Sequence, residues 1–67
     1  MSDYAPFERL LVAKEVAHLL KVSPVQVYRR VRDGSLRAYR VAPTRKGIRF
    51  KPDDVRRFLA ASRIEVD

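Results

Sequence analysis

The sequence predicts a mainly α-helical domain with a small β-hairpin, arranged as a helix-turn-helix, a two-stranded wing and a closing helix. Three observations predict this arrangement. Apolar residues recur at helical spacing on both sides of an interruption at Val22, Ser23 and Pro24. After Leu36 the apolar period changes to two, which is typical of a β-strand. With 67 residues, the chain has room for one domain with a thin core.

The first helix is expected over Ala13–Leu20. Val16, Leu19 and Leu20 fall on one face at helical spacing and form its predicted inward stripe. Ala17 lies on the same face, where its small side chain leaves room for the second helix to approach closely.

The second helix is expected over Pro24–Arg32 and has clear start and stop signals. Ser23 is its predicted N-cap, and Gln26 three residues later completes a capping box. Pro24 suits the first helical position because its missing N–H would have no partner there. Gly34 is expected to take the left-handed conformation that ends the helix.

The outer face of this second helix is the first candidate binding surface. Val27 and Val31 lie one turn apart and are expected to face the core, which turns a polar and basic face outward. Such a face on a helix-turn-helix has the geometry that enters a DNA major groove. The predicted DNA-contacting residues of this helix are Ser23, Val25, Gln26, Tyr28, Arg29 and Arg32. Two alternatives stay open: the face is only a solvated helix surface, or Gln26 serves the capping box rather than an adenine edge.

A β-hairpin wing is expected after Leu36, with strands over residues 37–41 and 48–50 joined by turn-forming residues 42–47. An isolated hairpin is unstable in water, so apolar residues of the wing must pack on the helices. The expected core residues of this region are Tyr39, Ile48, Phe50 and Phe58, and Val41 is expected to share a strand face with Tyr39. The predicted DNA-contacting residues of the wing are Arg40, Thr44, Arg45, Lys46 and Arg49. The competing interpretation is a hairpin tip that only increases solubility.

The closing helix is expected to begin at residues 51–54. It has an early proline, and the carboxylates of Asp53 and Asp54 lie in the first turn, where the helix dipole favours them. Its predicted inward residues are Val55, Phe58 and Leu59. Residues 1–9 are then expected to form a flexible arm, residues 10–61 the folded domain and residues 62–67 a frayed tail.

The net charge of +7 is concentrated in one part of the chain. Residues 23–51 carry nine basic side chains against a single acid, Asp33, and the remainder of the chain is close to neutral. This distribution is typical of a surface that binds a polyanion. The eleven arginines and four lysines suit bidentate contacts to phosphate or guanine, or reflect a GC-rich genome.

Several function classes lack support in the sequence. Without cysteine, the chain has no disulfides and no thiolate metal site, and its single histidine, His18, has no accompanying ligand pattern. The serines lack a base partner, so we expect no enzyme, no cofactor and no metal. No apolar run approaches the roughly 20 residues that span a bilayer, and the N-terminus lacks signal-peptide features, so we expect a cytoplasmic protein that does not bind membranes.

One pattern covers nearly the whole chain, from Leu10 to Ala61. It consists of residues 10–17, Leu20, Val22, Ser23, residues 27–29, residues 34–36, a basic hairpin, Phe50 and residues 54–59. This pattern closely resembles the excisionase family, small winged helix-turn-helix proteins akin to the DNA-binding domain of MerR-type regulators. The chain departs from the family at Lys21, where glycine is usual, and at Arg30, where an apolar residue is usual. Lys21 must therefore tolerate an unusual backbone angle, or the turn differs, and Arg30 is expected to extend outward from a thinner core.

The resemblance implies a specific function for the chain. Excisionases insert the second helix into the major groove of double-stranded DNA and place the wing against a minor groove or the backbone. They bind repeated sites beside an attachment site, bend the DNA and direct an integrase towards excision. On this basis we expect an integrase partner and head-to-tail association of monomers on DNA, with Asp53 and Asp54 against a neighbour's wing. The alternatives are a small transcriptional regulator of the same fold and a protein-interaction module such as an antitoxin.

Overall fold

The structure, a computed structural model, describes residues 9–64 as three α-helices and a three-stranded antiparallel sheet. In chain order the elements are β1 (Leu11–Val12), α1 (Ala13–Leu20), α2 (Pro24–Arg32), β2 (Tyr39–Arg40), β3 (Ile48–Phe50) and α3 (Pro52–Ala61). A single 3₁₀ turn, Arg45–Gly47, lies between β2 and β3. Residues 1–8 of the expected arm and residues 65–67 of the expected tail fall outside the described residues. Among the residues described, no helix combines the length and apolar character needed to cross a membrane.

The turn between α1 and α2 decides between the two alternatives for Lys21 in favour of an unusual backbone angle. Lys21 ends α1 with φ at +60°, the left-handed region that disfavours side chains larger than glycine. The N–H groups of Lys21 and Val22 donate to the carbonyls of His18 and Ala17, at 3.2 and 3.0 Å. These bonds satisfy the last carbonyls of α1 and hold the tight turn that sets the direction of α2.

The two ends of α2 lie where the sequence predicts them. Ser23 Oγ accepts a hydrogen bond from the Gln26 N–H at 3.4 Å, which is one half of the expected capping box. At the other end, Gly34 has φ at +86° and follows the C-cap residue, Asp33. The Asp33 carboxylate accepts from the N–H and the hydroxyl of Ser35, at 2.9 and 2.6 Å. These two bonds fix the chain as it leaves the helix.

The sheet has β3 in the centre, paired with β1 on one side and β2 on the other. Leu11 lies opposite Phe50, and Tyr39 lies opposite Arg49. The sequence did not predict β1, because a two-residue strand is too short to show a period of two. Through β1 the sheet connects the wing directly to the start of α1.

The predicted strand over residues 37–41 is wrong in its length, because β2 contains only Tyr39 and Arg40. The Val41 N–H donates to the Gly47 carbonyl at 2.7 Å, so the chain already turns at Val41 and leaves its side chain 57 % exposed. Gly47 is buried in this turn, and a Cβ there would lie 2.5 Å from the Cβ of Ala42. The hairpin tip is therefore compact and depends on glycine.

The core lies where α1, α2, β3 and the start of α3 meet. Its fully buried large side chains are Val16, Val27, Leu36 and Phe50. Two predicted inward residues are wrong: Leu19 and Leu59 are 59 % and 52 % exposed. Each lies on the flank of its helix, and α1 and α3 bury a narrower stripe than helical spacing alone indicates. Ile48 and Phe58 are half-buried against the core rather than inside it, and Tyr39 is half-buried without joining the apolar side chains that pack on the core.

Asp54 is the buried charged residue among those described, and the sequence treated it only as a helix-start acid. Its side chain is 8 % exposed, Oδ1 lies 3.9 Å from the Arg57 guanidinium, and Oδ2 has no hydrogen-bond partner among the described residues. Its neighbour Asp53 is exposed and paired with Arg56 at 2.6 Å. Of the two acids expected to meet a neighbouring copy, Asp53 alone presents its carboxylate to solvent.

Candidate nucleic-acid interface

The outer face of α2 and the tip of the wing meet in one surface depression. We call it the arginine hollow, and its lining residues are Val25, Tyr28, Arg29, Arg32 and Arg45. A second depression adjoins it and shares Tyr28, Arg32 and Arg45 while adding Arg40 from the wing. The fold therefore brings together residues that the sequence assigned separately to the helix and to the wing.

A contact between Tyr28 and Arg45 joins the two elements. The Arg45 guanidinium carbon lies 4.9 Å from the centre of the Tyr28 ring, within the range of a cation–π interaction. At an exposed site such a contact contributes about 0.5–1 kcal/mol, enough to favour one position of the wing tip over others. Sequence reasoning missed this pairing because the two residues are far apart along the chain and neither shows a local signal for the other.

Arg29 and Arg32 carry charge that nothing nearby neutralises. Both are exposed, and neither forms a hydrogen bond or an ion pair with any of residues 9–64. Two unpaired guanidiniums on one helix face produce a positive potential that attracts phosphate and leave ten N–H donors for base edges or the backbone. This is the arrangement expected of a helix that binds in a major groove.

The arginines of the wing are arranged differently. Arg40 Nη1 donates to the Pro43 carbonyl at 3.1 Å. Arg49 Nη1 donates to the carbonyls of Lys46 and Ile48, at 2.7 and 3.2 Å, and Arg49 is half-buried. Both side chains therefore brace the hairpin turn, and any contact they make with DNA stays a prediction. Lys46 is exposed at the tip, as is Thr44, whose carbonyl accepts from the Gly47 N–H at 2.8 Å.

Ser23 and Gln26, the remaining predicted contacts on α2, do not line the arginine hollow. Ser23 uses its hydroxyl to cap the helix, and Gln26 borders a separate apolar depression that also includes Val22, Phe58 and Leu59. The structure thus gathers Val25, Tyr28, Arg29 and Arg32 with the wing and places Gln26 on another flank of α2.

Arg30 behaves as the sequence predicts for a charged residue at an apolar position. Its guanidinium reaches outward to the Asp33 carboxylate at 3.3 Å, while its Nε is buried and has no hydrogen-bond partner among residues 9–64. The two hydrogen bonds from Ser35, followed by the nearby Arg30 charge, hold the pKa of Asp33 below its usual value of 3.8. The charge of Arg30 is therefore compensated locally, unlike those of Arg29 and Arg32.

A capped helix-turn-helix with unpaired arginines beside a basic wing defines a winged helix-turn-helix of the DNA-binding class. This confirms the fold class that the sequence predicts. A family model described as a helix-turn-helix domain matches residues 10–63, and the chain belongs to this family of small DNA-binding domains. No curated protein and no solved structure matches the chain.

Proposed function

We propose that the protein is an excisionase, an architectural DNA-binding protein without catalytic activity that directs an integrase towards excision. The observation that carries the DNA-binding part is the arginine hollow, where the unpaired Arg29 and Arg32 lie beside Arg45 of the wing. The excision-specific part is supported by the resemblance of residues 10–61 to excisionases.

In this function α2 occupies the major groove. An α-helix with its side chains is about 10–12 Å across and matches a groove about 12 Å wide. Arg29 lies on the exposed face of the helix, where a bidentate guanidinium can read the O6 and N7 atoms of guanine. The wing would lie along the adjacent backbone, with Lys46 and Arg45 near phosphates, where contacts add affinity rather than sequence preference.

One copy of the domain covers only a short site, and the base contacts of one helix give limited specificity. We therefore propose that several monomers bind head-to-tail at repeated sites and bend the DNA, as excisionases do. The exposed Asp53 carboxylate, rather than Asp54, is the acidic group available to a neighbour's wing. Phosphate neutralises part of the positive charge on each copy, so DNA lowers the repulsion between neighbours.

The test is footprinting and gel-shift analysis on an attachment-site fragment, with and without the integrase that acts on that site. We expect a ladder of complexes that fills cooperatively, a bent product, and stronger integrase occupancy when the protein is present. The doubly substituted protein Arg29→Ala/Arg32→Ala should lose the ladder. The matched control Arg57→Ala removes a charge from α3, where the side chain is 77 % exposed and lies outside the arginine hollow, and should keep it.

Other outcomes would assign other functions. A single shifted species on unbent DNA, with integrase occupancy unchanged, would reject the excisionase proposal in favour of a small transcriptional regulator. Absence of any footprint would reject a role on DNA and favour a protein-interaction module. A DNA affinity that does not change with salt would do the same, because contacts to phosphates make log K fall with log salt.

A further inference from the structure

Val25 is an apolar side chain in the middle of a basic surface. It is 56 % exposed on α2 and lines the arginine hollow together with three arginines. An apolar group attracts no phosphate, and its exposure contributes little to the core. Its position in the hollow therefore favours a ligand that has an apolar group beside its charged or polar ones.

The floor of the hollow is apolar and held in place. Tyr28 lies beside Val25, is half-buried against the core, and has the Arg45 guanidinium 4.9 Å from its ring centre. A ring fixed on two sides loses little freedom when a ligand packs on it, and preorganisation of this kind favours binding. The hollow thus has a rigid apolar floor formed by Val25 and Tyr28, and a charged rim.

The spacing along α2 connects this floor to base recognition. Val25 and Arg29 are four residues apart, so they share a helix face with Cβ atoms about 5–6 Å from each other. Stacked bases in one strand are about 3.4 Å apart, so the two side chains reach base pairs one or two steps apart. Val25 also lies in the first turn of α2, the part of such a helix that contacts base edges.

We propose that Val25 and Tyr28 form a subsite for the C5-methyl group of thymine, one or two base pairs from a guanine bound by Arg29. Thymine is the base that presents a methyl group in the major groove, and apolar side chains recognise it there. This inference rests on the proposed function, because it names the base that the DNA-binding surface selects. A phosphate in the hollow would use the arginine rim and leave Val25 without a role.

The experiment begins by selecting preferred duplexes from a randomised pool with the full-length protein. Each thymine of the selected site is then replaced singly by deoxyuridine, which pairs identically but lacks the methyl group. We expect one such replacement, within two base pairs of the Arg29-dependent guanine, to raise Kd about fourfold. This factor corresponds to about 0.8 kcal/mol for one buried methylene-sized group.

The Val25→Ala variant completes a double-mutant cycle. It should bind the thymine duplex several-fold more weakly than the wild type, and it should bind the thymine and deoxyuridine duplexes equally. The matched control is Val41→Ala on the wing, since Val41 is exposed to the same degree, 57 % against 56 %. This control should retain the full fourfold discrimination.

The possible outcomes distinguish a failure of the thymine subsite from a failure of the proposed function. A specific site that lacks thymine near the guanine, or that tolerates every deoxyuridine replacement, would overturn the thymine subsite while DNA binding stands. Undiminished discrimination by Val25→Ala would overturn it as well. If no sequence is enriched and the protein does not bind DNA, the proposed function fails, and the thymine subsite fails with it.

Discussion

Arginines on α2 and arginines on the wing differ in what they contact. Arg29 and Arg32 form no hydrogen bond or ion pair with any described residue, whereas Arg40 and Arg49 donate to carbonyls of their own hairpin. The four side chains have the same charge and would count equally in any sum over the sequence. The comparison shows that a count of basic residues overstates the number of guanidinium groups whose donors are all free to contact a polyanion.

The difference follows from the backbone beneath each group. In α2 the peptide carbonyls accept hydrogen bonds from N–H groups one turn along, so nothing draws the side chains inward. The hairpin tip over residues 41–47 has few strand partners, so its carbonyls are free to accept from nearby side chains. Guanidinium groups, with five donors each, donate to those of Pro43 and Lys46.

The largest expected effect tests the α2 side of this comparison. Arg29→Ala should weaken binding to a selected DNA site by about 1–3 kcal/mol, because one bidentate base contact is lost. It should leave thermal stability unchanged, because Arg29 holds no partner in the described structure. Titrations on specific and random duplexes measure the first effect, and thermal unfolding measures the second. Equal losses on both duplexes would make Arg29 a phosphate contact and not a base contact.

A smaller effect, on the stability of the fold, tests the role of the arginines on the wing. Arg49→Ala removes two hydrogen bonds to hairpin carbonyls and should destabilise the fold by about 1 kcal/mol. For a domain of this size, that loss lowers the thermal midpoint by about 4–8 °C. The matched control is Arg32→Ala, which removes the same charge from α2 and should not shift the midpoint. Equal midpoints for the two variants would contradict the division between binding and bracing arginines.

The two ends of α2 were predictable from the sequence, because short-range hydrogen bonds and backbone conformation determine them. Ser23 and Gly34 fix both ends of α2 through contacts within a few residues, so the sequence pattern carries the full signal. Leu19 and Leu59 were misplaced because helical spacing gives the direction of a side chain, whereas its burial depends on the width of the neighbouring element.

The same distinction applies to the candidate site. Charge and helix period identified its members on α2, among them Val25, Arg29 and Arg32, because each depends on its own element alone. The Tyr28–Arg45 contact and the bonds made by Arg49 depend on how the wing folds back, which no local pattern encodes. The sequence therefore predicted where the basic residues lie, and the structure separated those without a partner among the described residues from those that donate to hairpin carbonyls.

The tip of the wing has a third type of basic residue, exposed but positioned by the fold. Replacing Arg45 and Lys46 together by alanine should reduce the magnitude of the slope of log K against log salt by up to about 1.8, since each neutralised phosphate contributes about 0.9. For Lys46→Ala alone, affinity should fall by similar factors for all sequences, because contacts to the backbone carry no sequence information. Titrations at several salt concentrations on selected and random duplexes test this. A loss confined to the selected site would instead place the wing tip on base edges.

The smallest expected effect concerns Arg30, the arginine of α2 whose charge is compensated. Asp33 accepts two hydrogen bonds from Ser35 and pairs with Arg30, and these contacts hold its pKa below 3.8 in the folded state. A carboxyl group whose pKa is lower when folded stabilises the fold above its unfolded pKa, and this contribution is lost as pH falls through the folded value. The stability difference between the wild type and Asp33→Asn should therefore be constant near neutral pH and shrink below about pH 3.8.

Denaturant unfolding of both proteins from pH 7 to pH 2.5 measures this difference. The contributions of the other carboxyl groups cancel because both proteins contain them. A difference that persists unchanged to the lowest pH would show that the Asp33 charge does not stabilise the end of α2.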